Sequence, residues 1–387
     1  MRPFVLKMGG SATACLIAGM LLAPAAPAGP LPKDMRLVYE RAGWKTGAEG
    51  EGEIQQSVIG LSALYEWSRR VETEVEIDQV RAARSGARLG SFVRGGLLVR
   101  VTPLPGWIVQ AGIGTPSGGG ELSKPLRSLA TLLGDPLFSF PVADPVRGWR
   151  FHAGALHATA LSRSTRVLTG IAGDWNPSFE PGMGGSLDPA DRLLASLSLL
   201  SGGERMQGEA RLTCGLEGSE RLEGESLREG GTLLGVAGRI AVRGLGADAS
   251  ASVEGVGCPQ VSVLDLDTLG ALREAGPGLL ARVGFQIDRA SAFPLGGSVS
   301  ARPGIGLVWT RVMPDGLPMG DGWTAQLSPR FELQTEAGDF EVGGAFARGS
   351  WRPYDAGAYR PSETLRGWTF RLSWSGARIL TANGEGR

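Results

Sequence analysis

Apolar and polar residues alternate along most of the chain after residue 57, in runs that end at short turns. In residues 281–288, ARVGFQID, the odd positions are Ala, Val, Phe and Ile, whereas the even positions are Arg, Gly, Gln and Asp. Residues 323–334, WTAQLSPRFELQ, and 368–375, WTFRLSWS, repeat this division. A period of two predicts β-strands whose two faces meet different surroundings.

The turns divide this pattern into about fourteen strands. We expect them at roughly 70–84, 87–102, 107–116, 148–162, 166–178, 192–201, 206–216, 231–244, 247–258, 278–290, 297–312, 323–335, 340–353 and 366–380. The stretch VIGLSALYEWSRRVETEVEI before and within the first of them leaves twelve or sixteen strands open. Pro303 and Pro329 count against the scheme, because proline cannot donate to a strand ladder.

Connection length distinguishes a membrane barrel from a soluble sandwich, which also alternates. Short connections such as PLPG, SRST and EAGD alternate with long ones at 116–147, 217–230, 259–277, 313–322 and 354–365. Bacterial outer-membrane barrels have short periplasmic turns and longer outer loops. The sequence therefore predicts a single all-β antiparallel transmembrane barrel, with its apolar face toward lipid and its polar face toward the lumen.

Aromatic and charged residues fit this arrangement. Tryptophans fall near the predicted strand ends, as an interfacial girdle requires, and the girdle candidates are Trp107, Trp149, Trp175, Trp309, Trp323, Trp351 and Trp368. Polar residues recur on the predicted inner face, and the lumen-lining candidates are Arg100, Gln110, Arg211, Arg239, Glu254, Arg282, Gln286, Asp288, Arg302, Arg330, Glu332 and Arg371. These side chains predict either a solute pathway or an internal salt-bridge network that fills the barrel.

Two loop segments have a helical pattern. In KPLRSLATLLGDPLF, leucines from Leu126 to Leu133 share one helical face, and Asp135-Pro136 ends the run. The second segment is LDLDTLGALREAG at 264–276. We therefore expect one or two short loop helices.

The chain begins with the features of a secretory signal. Arg2 and Lys7 precede the apolar run ATACLIAGMLLA and the small-residue stretch APAAPAGP. The predicted organisation is a signal peptide at 1–28, a periplasmic or plug segment at 29–56, the transmembrane barrel at 57–380, and a polar tail at 381–387. An exported barrel of this kind is expected in the cell outer membrane, in contact with its lipid.

Enzymatic and nucleic-acid-binding functions find little support. Lys+Arg and Asp+Glu balance at 39 each, and no basic stretch with interleaved aromatics occurs, so nucleic acid is not an expected partner. His152 and His157 are five residues apart in one predicted strand and point to opposite faces. The chain has no G-x-S-x-G motif and no calcium loop, so we predict no catalytic residue, metal or cofactor.

Two cysteines follow the predicted signal. Cys214 shares a strand face with Leu212 and Leu216, whereas Cys258 shares one with Glu254. Opposite faces argue against a disulfide, although a bulge or loop excursion would allow one.

This layout resembles bacterial outer-membrane β-barrels and is most similar to the long-chain fatty acid and aromatic hydrocarbon transporter family. The resemblance rests on the signal segment, the predicted strands and the helix-bearing loop KPLRSLATLL. It implies a monomeric barrel with an N-terminal plug that carries hydrophobic molecules inward. The chain departs from the family in two places: residues 29–56 contain no Asn-Pro-Ala motif, and the last predicted strand has no terminal aromatic.

Two functions follow as hypotheses. The first is a passive channel or transporter for small hydrophobic solutes. The second is a closed barrel that serves as a structural or interaction component of the envelope, with protein partners at its outer loops or residues 29–56. The sequence does not identify the solute, the partner or the oligomeric state.

Overall fold

A computed structural model of the chain describes residues 32–47, 53–84, 87–116, 137–138, 140–142, 148–180, 186–222, 224–228, 230–244, 246–258, 261–264, 272–275, 278–296, 299–313, 321–336, 338–352, 354–355, 358–359 and 361–376. Strands and turns account for the regular structure of these residues. No helix among them is long and apolar enough to cross a membrane. The predicted signal peptide, the polar tail and the predicted helix within KPLRSLATLL lie outside the described residues.

Sixteen antiparallel strands form the wall of a closed barrel. They are β1 (Pro32–Thr46), β2 (Ile54–Ser68), β3 (Val71–Arg84), β4 (Ala87–Val101), β5 (Trp107–Gly114), β6 (Arg150–Ala160), β7 (Thr165–Trp175), β8 (Arg192–Gly202), β9 (Met206–Glu217), β10 (Gly231–Arg243), β11 (Ala247–Cys258), β12 (Gly278–Arg289), β13 (Val299–Met313), β14 (Asp321–Thr335), β15 (Gly338–Arg352) and β16 (Glu363–Ser375). The fourteen expected strands correspond to β3–β16, and sixteen is one of the two alternative counts that the sequence leaves open.

The barrel closes between its first and last strands. β1 pairs with β16 from Arg36 opposite Ser375 to Thr46 opposite Leu365. Every other wall strand pairs with the strands before and after it in the chain. Because Pro32 and Ser375 lie at the same end as the short turns, we call this the short-turn end, and the opposite end the long-loop end.

The first two strands correct the predicted organisation of the N-terminal region. Residues 32–46 and 54–68 form β1 and β2 of the wall, whereas 29–56 was expected to be a periplasmic or plug segment and the barrel was expected to start at 57. The two strands pair from Pro32 opposite Tyr65 to Trp44 opposite Ile54. The described part of the N-terminal region therefore belongs to the barrel wall.

The wall has an apolar outside. Large apolar side chains stay exposed at alternate positions of most strands, including Leu197 at 49%, Phe285 at 54% and Phe346 at 67%. In a protein surrounded by water such a belt would be costly, whereas lipid is a suitable solvent for it. The intervening positions carry the polar residues that face the lumen.

Both prolines that count against the strand scheme lie inside strands. Pro303 lies within β13 opposite Phe331. At Pro329 of β14 the pairing with β15 is interrupted between Leu327 and Arg330 and then resumes in the same register. The missing N–H therefore interrupts the hydrogen-bond ladder locally, and the strand continues beyond it.

The long loops contain small sheets of their own. Short strands at Leu187–Asp188, Glu220–Leu222, Glu225–Arg228, Val261–Leu264 and Leu272–Ala275 form a five-stranded sheet, and Tyr354–Asp355 pairs with Ala358–Tyr359. Leu264 pairs directly with Leu272 in an antiparallel hairpin. The predicted helix at 264–276 is therefore wrong at both of its described ends. A further short strand, Phe293–Gly296, extends the connection before β13 at the short-turn end.

Candidate functional site: the barrel lumen

A segment of the loop between β5 and β6 occupies the lumen near the long-loop end. We call residues 137–142 the inserted segment; residue 139 is outside the described chain. Leu137 and Phe138 are fully buried, at 0% exposure. The Phe138 ring packs edge-on against Trp44 of β1 and Trp351 of β15, with centroid distances of 5.6 and 5.5 Å. The inserted segment therefore narrows the lumen with a dry aromatic contact.

Gln56 of β2 fixes the inserted segment to the wall. Its Nε2 donates to the carbonyl oxygen of Val142 at 2.7 Å, and its Oε1 accepts from the Val142 amide at 2.8 Å. Gln56 is only 1% exposed, and Val142 packs with Val58 and Val80. Two hydrogen bonds in a dry environment give the segment a defined register, because an unpaired amide would be costly there.

Trp351 does not belong to the aromatic girdle. It shares the lumen-facing parity of Ala345 and Ala347 on β15 and packs against the cluster around Phe138. Its position near a strand end satisfies the sequence rule for a girdle, but strand parity directs the ring inward.

The other girdle candidates lie on the outward face. Trp107 follows a short turn and stacks on His157 at 4.6 Å. The remaining five are near the long-loop end, at Trp149, Trp175, Trp309, Trp323 and Trp368. Trp67, 58% exposed near the short-turn end of β2, also lies on the outward face and was not among the candidates.

Ion pairs run along the lumen wall between strands. Arg302 of β13 contacts Asp248 of β11 at 2.8 Å, so the pair spans the intervening strand β12. Arg330 of β14 reaches Asp288 of β12 at 2.6 Å across β13. Contacts that skip a strand form on the concave side of a curved sheet. The structure therefore places these predicted lumen residues inside the barrel.

The other lumen candidates also occupy this inner face. Arg100 pairs with Glu74 at 2.7 Å, Arg211 with Glu209 at 2.8 Å, Arg282 with Glu254 at 3.5 Å and Arg371 with Glu341 at 3.9 Å, whereas Glu332 lies 3.6 Å from Arg330, Gln286 bonds Asp288, and Gln110 bonds His152. Most lumen arginines are thus neutralised by carboxylates on the wall. This coating leaves space in the middle of the lumen.

A glycine makes room for one of these pairs. A Cβ at Gly304 would collide with the Oδ1 of Asp288 and lie 3.0 Å from the Nε of Arg330. Asp288 itself is only 6% exposed. The Asp288–Arg330 pair therefore lies flat against the wall because β13 has no side chain beneath it.

Two mid-lumen cavities lie on different parts of the wall. One, of about 480 Å³, is lined by residues of β10–β16 and by Glu40 of β1, and we call it the polar cavity because Arg239, Gln286, Arg330 and Arg371 line it. The other, also about 480 Å³, is lined by β4–β9. Its lining combines Arg100 and Arg211 with an apolar strip, which we define as Ile108, Leu156, Leu168 and Leu194.

A third cavity, of about 450 Å³, opens at the short-turn end. Arg163, Arg166 and Arg239 line it together with Gln207 and Glu209. Within the described residues, no carboxylate lies within 4.0 Å of any of these three guanidiniums. These arginines differ in this respect from Arg100 and Arg302, which also lie near the short-turn ends of their strands but pair with Glu74 and Asp248.

The two histidines face opposite sides of β6. His157 is on the outside against Trp107. His152 faces inward, where its Nε2 lies 2.7 Å from the Nε2 of Gln110 and its Nδ1 lies 2.8 Å from Asp174. A neutral ring with its proton on Nδ1 satisfies both contacts, since it accepts from the Gln110 amide and donates to Asp174. Arg150 completes this group with a 2.6 Å contact to Asp174.

Cysteine and metal chemistry are limited in the described structure. Cys214 is a free cysteine with an exposed side chain. The Cys258 side chain lies outside the described residues. Among the described residues, no group of three or more His, Cys, Asp or Glu side chains is arranged to hold a metal ion.

Several lumen residues were missed at the level of sequence. One is the acidic strip of β3, in which Glu72, Glu74, Glu76 and Asp78 alternate toward the lumen. The alternation in VETEVEID contained this signal, and Asp78 contacts Arg94 at 2.7 Å. The inserted segment was not foreseeable in the same way, because a pattern of strands does not show where a loop folds.

Comparison with solved structures finds barrels with a similar course of the chain. OccK9 (OpdG) of Pseudomonas aeruginosa is 10% identical, with 88% of this chain and 96% of that one covered and a TM-score of 0.47. OpdK of the same organism, solved with vanillate, is 10% identical over 90% and 100%, with a TM-score of 0.45. A bacterial polysaccharide outer membrane secretin is 9% identical over 87% and 98%, also at 0.45.

No protein-family model and no curated protein matches the chain. The resemblance to the fatty acid and aromatic hydrocarbon transporter family is not confirmed. It rested in part on about fourteen predicted strands and implied an N-terminal plug, whereas the wall has sixteen strands and Pro32–Thr46 is one of them. Because the identities and TM-scores are low, the likeness concerns the course of the chain alone.

Proposed function

We propose that the protein is a passive channel of the bacterial outer membrane for small solutes. The observation that carries this proposal is the combination of an apolar outside with a polar lumen that contains two cavities of about 480 Å³ each. Barrels of sixteen to eighteen strands are wide enough to leave an aqueous passage. The predicted signal segment at 1–28 supports the location. Transport through such a lumen needs no catalytic step.

The apolar strip supports a preference for solutes with an apolar part. Ile108 and Leu156 are direct cross-strand neighbours on β5 and β6, and both line the same cavity. A phenyl or alkyl group that passes along this wall exchanges water contacts for apolar ones, at roughly 25 cal/mol per Å² of buried area. Arg100 and Arg211 beside the strip provide contacts for the polar part of the same solute.

Liposome swelling with two related solutes tests this proposal. Phenyl glucoside and methyl glucoside share the sugar and differ in the apolar group. We expect both to enter proteoliposomes, and we expect the I108N/L156N variant to lower the phenyl-to-methyl rate ratio about threefold. The control S196A changes a polar residue of the same cavity and should keep the ratio. An unchanged ratio in I108N/L156N would reject the apolar preference.

A closed structural barrel is the second candidate. The observation that favours it is the dry packing of the inserted segment, in which Leu137 and Phe138 have no exposed surface. In that case the long loops or the chain before β1 would bind an envelope protein. Absence of swelling with either glucoside, in the wild type and in F138A alike, would support this function and reject the channel.

A further inference from the structure

The short-turn end of the lumen contains an unusual group of arginines. Arg166 of β7 and Arg239 of β10 point into the barrel, and Arg163 belongs to the turn before β7. All three line the cavity of about 450 Å³. We propose that this cavity binds a small oxyanion, the carboxylate or phosphate group of a solute. The inference deepens the proposed channel function, although binding itself does not require conduction.

Strand register places the arginines in one row of the wall. Arg166 is opposite Leu200, Leu200 is opposite Glu209, and Glu209 is opposite Arg239. Three strand spacings of about 4.8 Å separate the Cα atoms of Arg166 and Arg239 along the wall. Side chains on a concave face converge toward the axis. The row therefore presents two guanidiniums to the same volume of the lumen.

Charge balance in the cavity favours an anion. Glu209 is the single carboxylate among the residues that line it, and its Oε1 already accepts from Arg211 at 2.8 Å. Arg163, Arg166 and Arg239 have no carboxylate within 4.0 Å in the described part of the chain. Guanidiniums bind carboxylate and phosphate oxygens through charge-assisted hydrogen bonds, which are shorter and stronger than neutral ones.

The position of Arg239 connects this cavity to the rest of the lumen. Arg239 lines both the short-turn cavity and the polar mid-lumen cavity. Gln207 and Ser164 add neutral polar groups to the lining of the short-turn cavity. An oxyanion at Arg239 is thus in contact with the space that a permeating solute must cross.

Equilibrium dialysis of radiolabelled inorganic phosphate against the detergent-solubilised full chain tests the site directly. We expect saturable binding that weakens about tenfold in R166Q/R239Q and strengthens in E209Q, because that change removes the negative charge beside the site. The matched control R282Q/R302Q removes the same net charge from arginines already paired with Glu254 and Asp248. It should bind phosphate like the wild type.

The outcomes separate the site from the channel. Absence of saturable binding to the wild type, or equal weakening in both double variants, overturns the oxyanion site even if the protein conducts. Binding that depends on Arg166 and Arg239 supports the site even if conduction fails. Competition by acetate identifies a carboxylate as a sufficient ligand, and binding of phosphate without such competition identifies the phosphate group as the ligand that the site prefers. Heat-modifiable migration of each variant confirms that the barrel is folded.

Discussion

The two halves of the lumen share the same strands but have different interiors. In the long-loop half, Trp44, Ile54 and Val80 are about 1% exposed and enclose the inserted segment. In the short-turn half, Arg166 and Arg239 line an open cavity. One wall thus packs tightly around a loop at one end and encloses an open, arginine-lined cavity at the other.

A single strand contains both environments. The lumen face of β3 runs from Ala82 and Val80, at 4% and 1% exposure, to Asp78 at 7%, and then to Glu74, whose side chain is 37% exposed. Apolar residues dominate where the inserted segment covers the wall, and carboxylates dominate beyond it. The division between the halves is therefore encoded residue by residue along the strand.

The largest effect is expected from reversing the polarity of the wall that both halves share. Phe285, 54% exposed on the outward face of β12, should not tolerate arginine, because a charge at mid-membrane depth costs about 2–4 kcal/mol. Its neighbour Gln286 faces the polar cavity, and Q286R should assemble. Heat-modifiable gel migration of outer-membrane fractions measures how much of each variant assembles. Equal assembly of F285R and Q286R would invert the assignment of faces.

A smaller effect is expected from loosening the inserted segment. Q56A removes both hydrogen bonds to Val142 and leaves a buried amide and carbonyl without these partners, at a cost of about 1–3 kcal/mol. Undocked states of the segment should become more populated, and open-state current fluctuations should increase. Gln207 provides the matched control, because it lines the cavity of the short-turn half, away from the inserted segment. Identical gating of Q56A and Q207A would contradict the difference between the halves.

The smallest effect concerns the Asp288–Arg330 ion pair on the wall of the short-turn half. G304A places a methyl group against the Asp288–Arg330 pair, whereas the added methyl in G306A has its nearest neighbours at 3.7 Å. We expect G304A to lose about 1–2 kcal/mol of stability and G306A to lose much less. Thermal unfolding followed by gel migration compares them. Equal losses would show that the pair does not depend on the glycine.

The sequence predicted the later strands well because their two faces differ in polarity. It missed β1 and left β2 open as an additional strand, because neither alternates cleanly. In β1 the outward face includes Arg41, which lies 5.7 Å from the Trp368 ring centroid. In β2 the lumen face includes Ile54 and Val58, which are apolar because the inserted segment covers them. The alternation signal fails where a long-range contact, absent from the local pattern, changes the surroundings of a strand.

Long-range contacts also explain the error at Trp351, and they explain why the lumen site could be predicted only in part. The lumen residues were predicted from the alternation of strand positions alone. The structure shows that most of the arginines among them form ion pairs on the wall. Which arginines are free depends on the neighbouring strands. Arg239 was among the candidates, but its lack of a carboxylate partner in the described residues required knowledge of strand register.

The proposed channel function requires that the inserted segment narrows the lumen without closing it. The most direct measurement is single-channel conductance in planar bilayers for the wild type and for F138A, which removes the ring between Trp44 and Trp351. We predict a resolvable conductance for the wild type and a larger one for F138A, because loss of the ring weakens the packing of the inserted segment by about 3–5 kcal/mol and favours its undocked states. The outward variant F285A should match the wild type. Absence of conductance in both the wild type and F138A, with barrels shown to be folded, would contradict the claim.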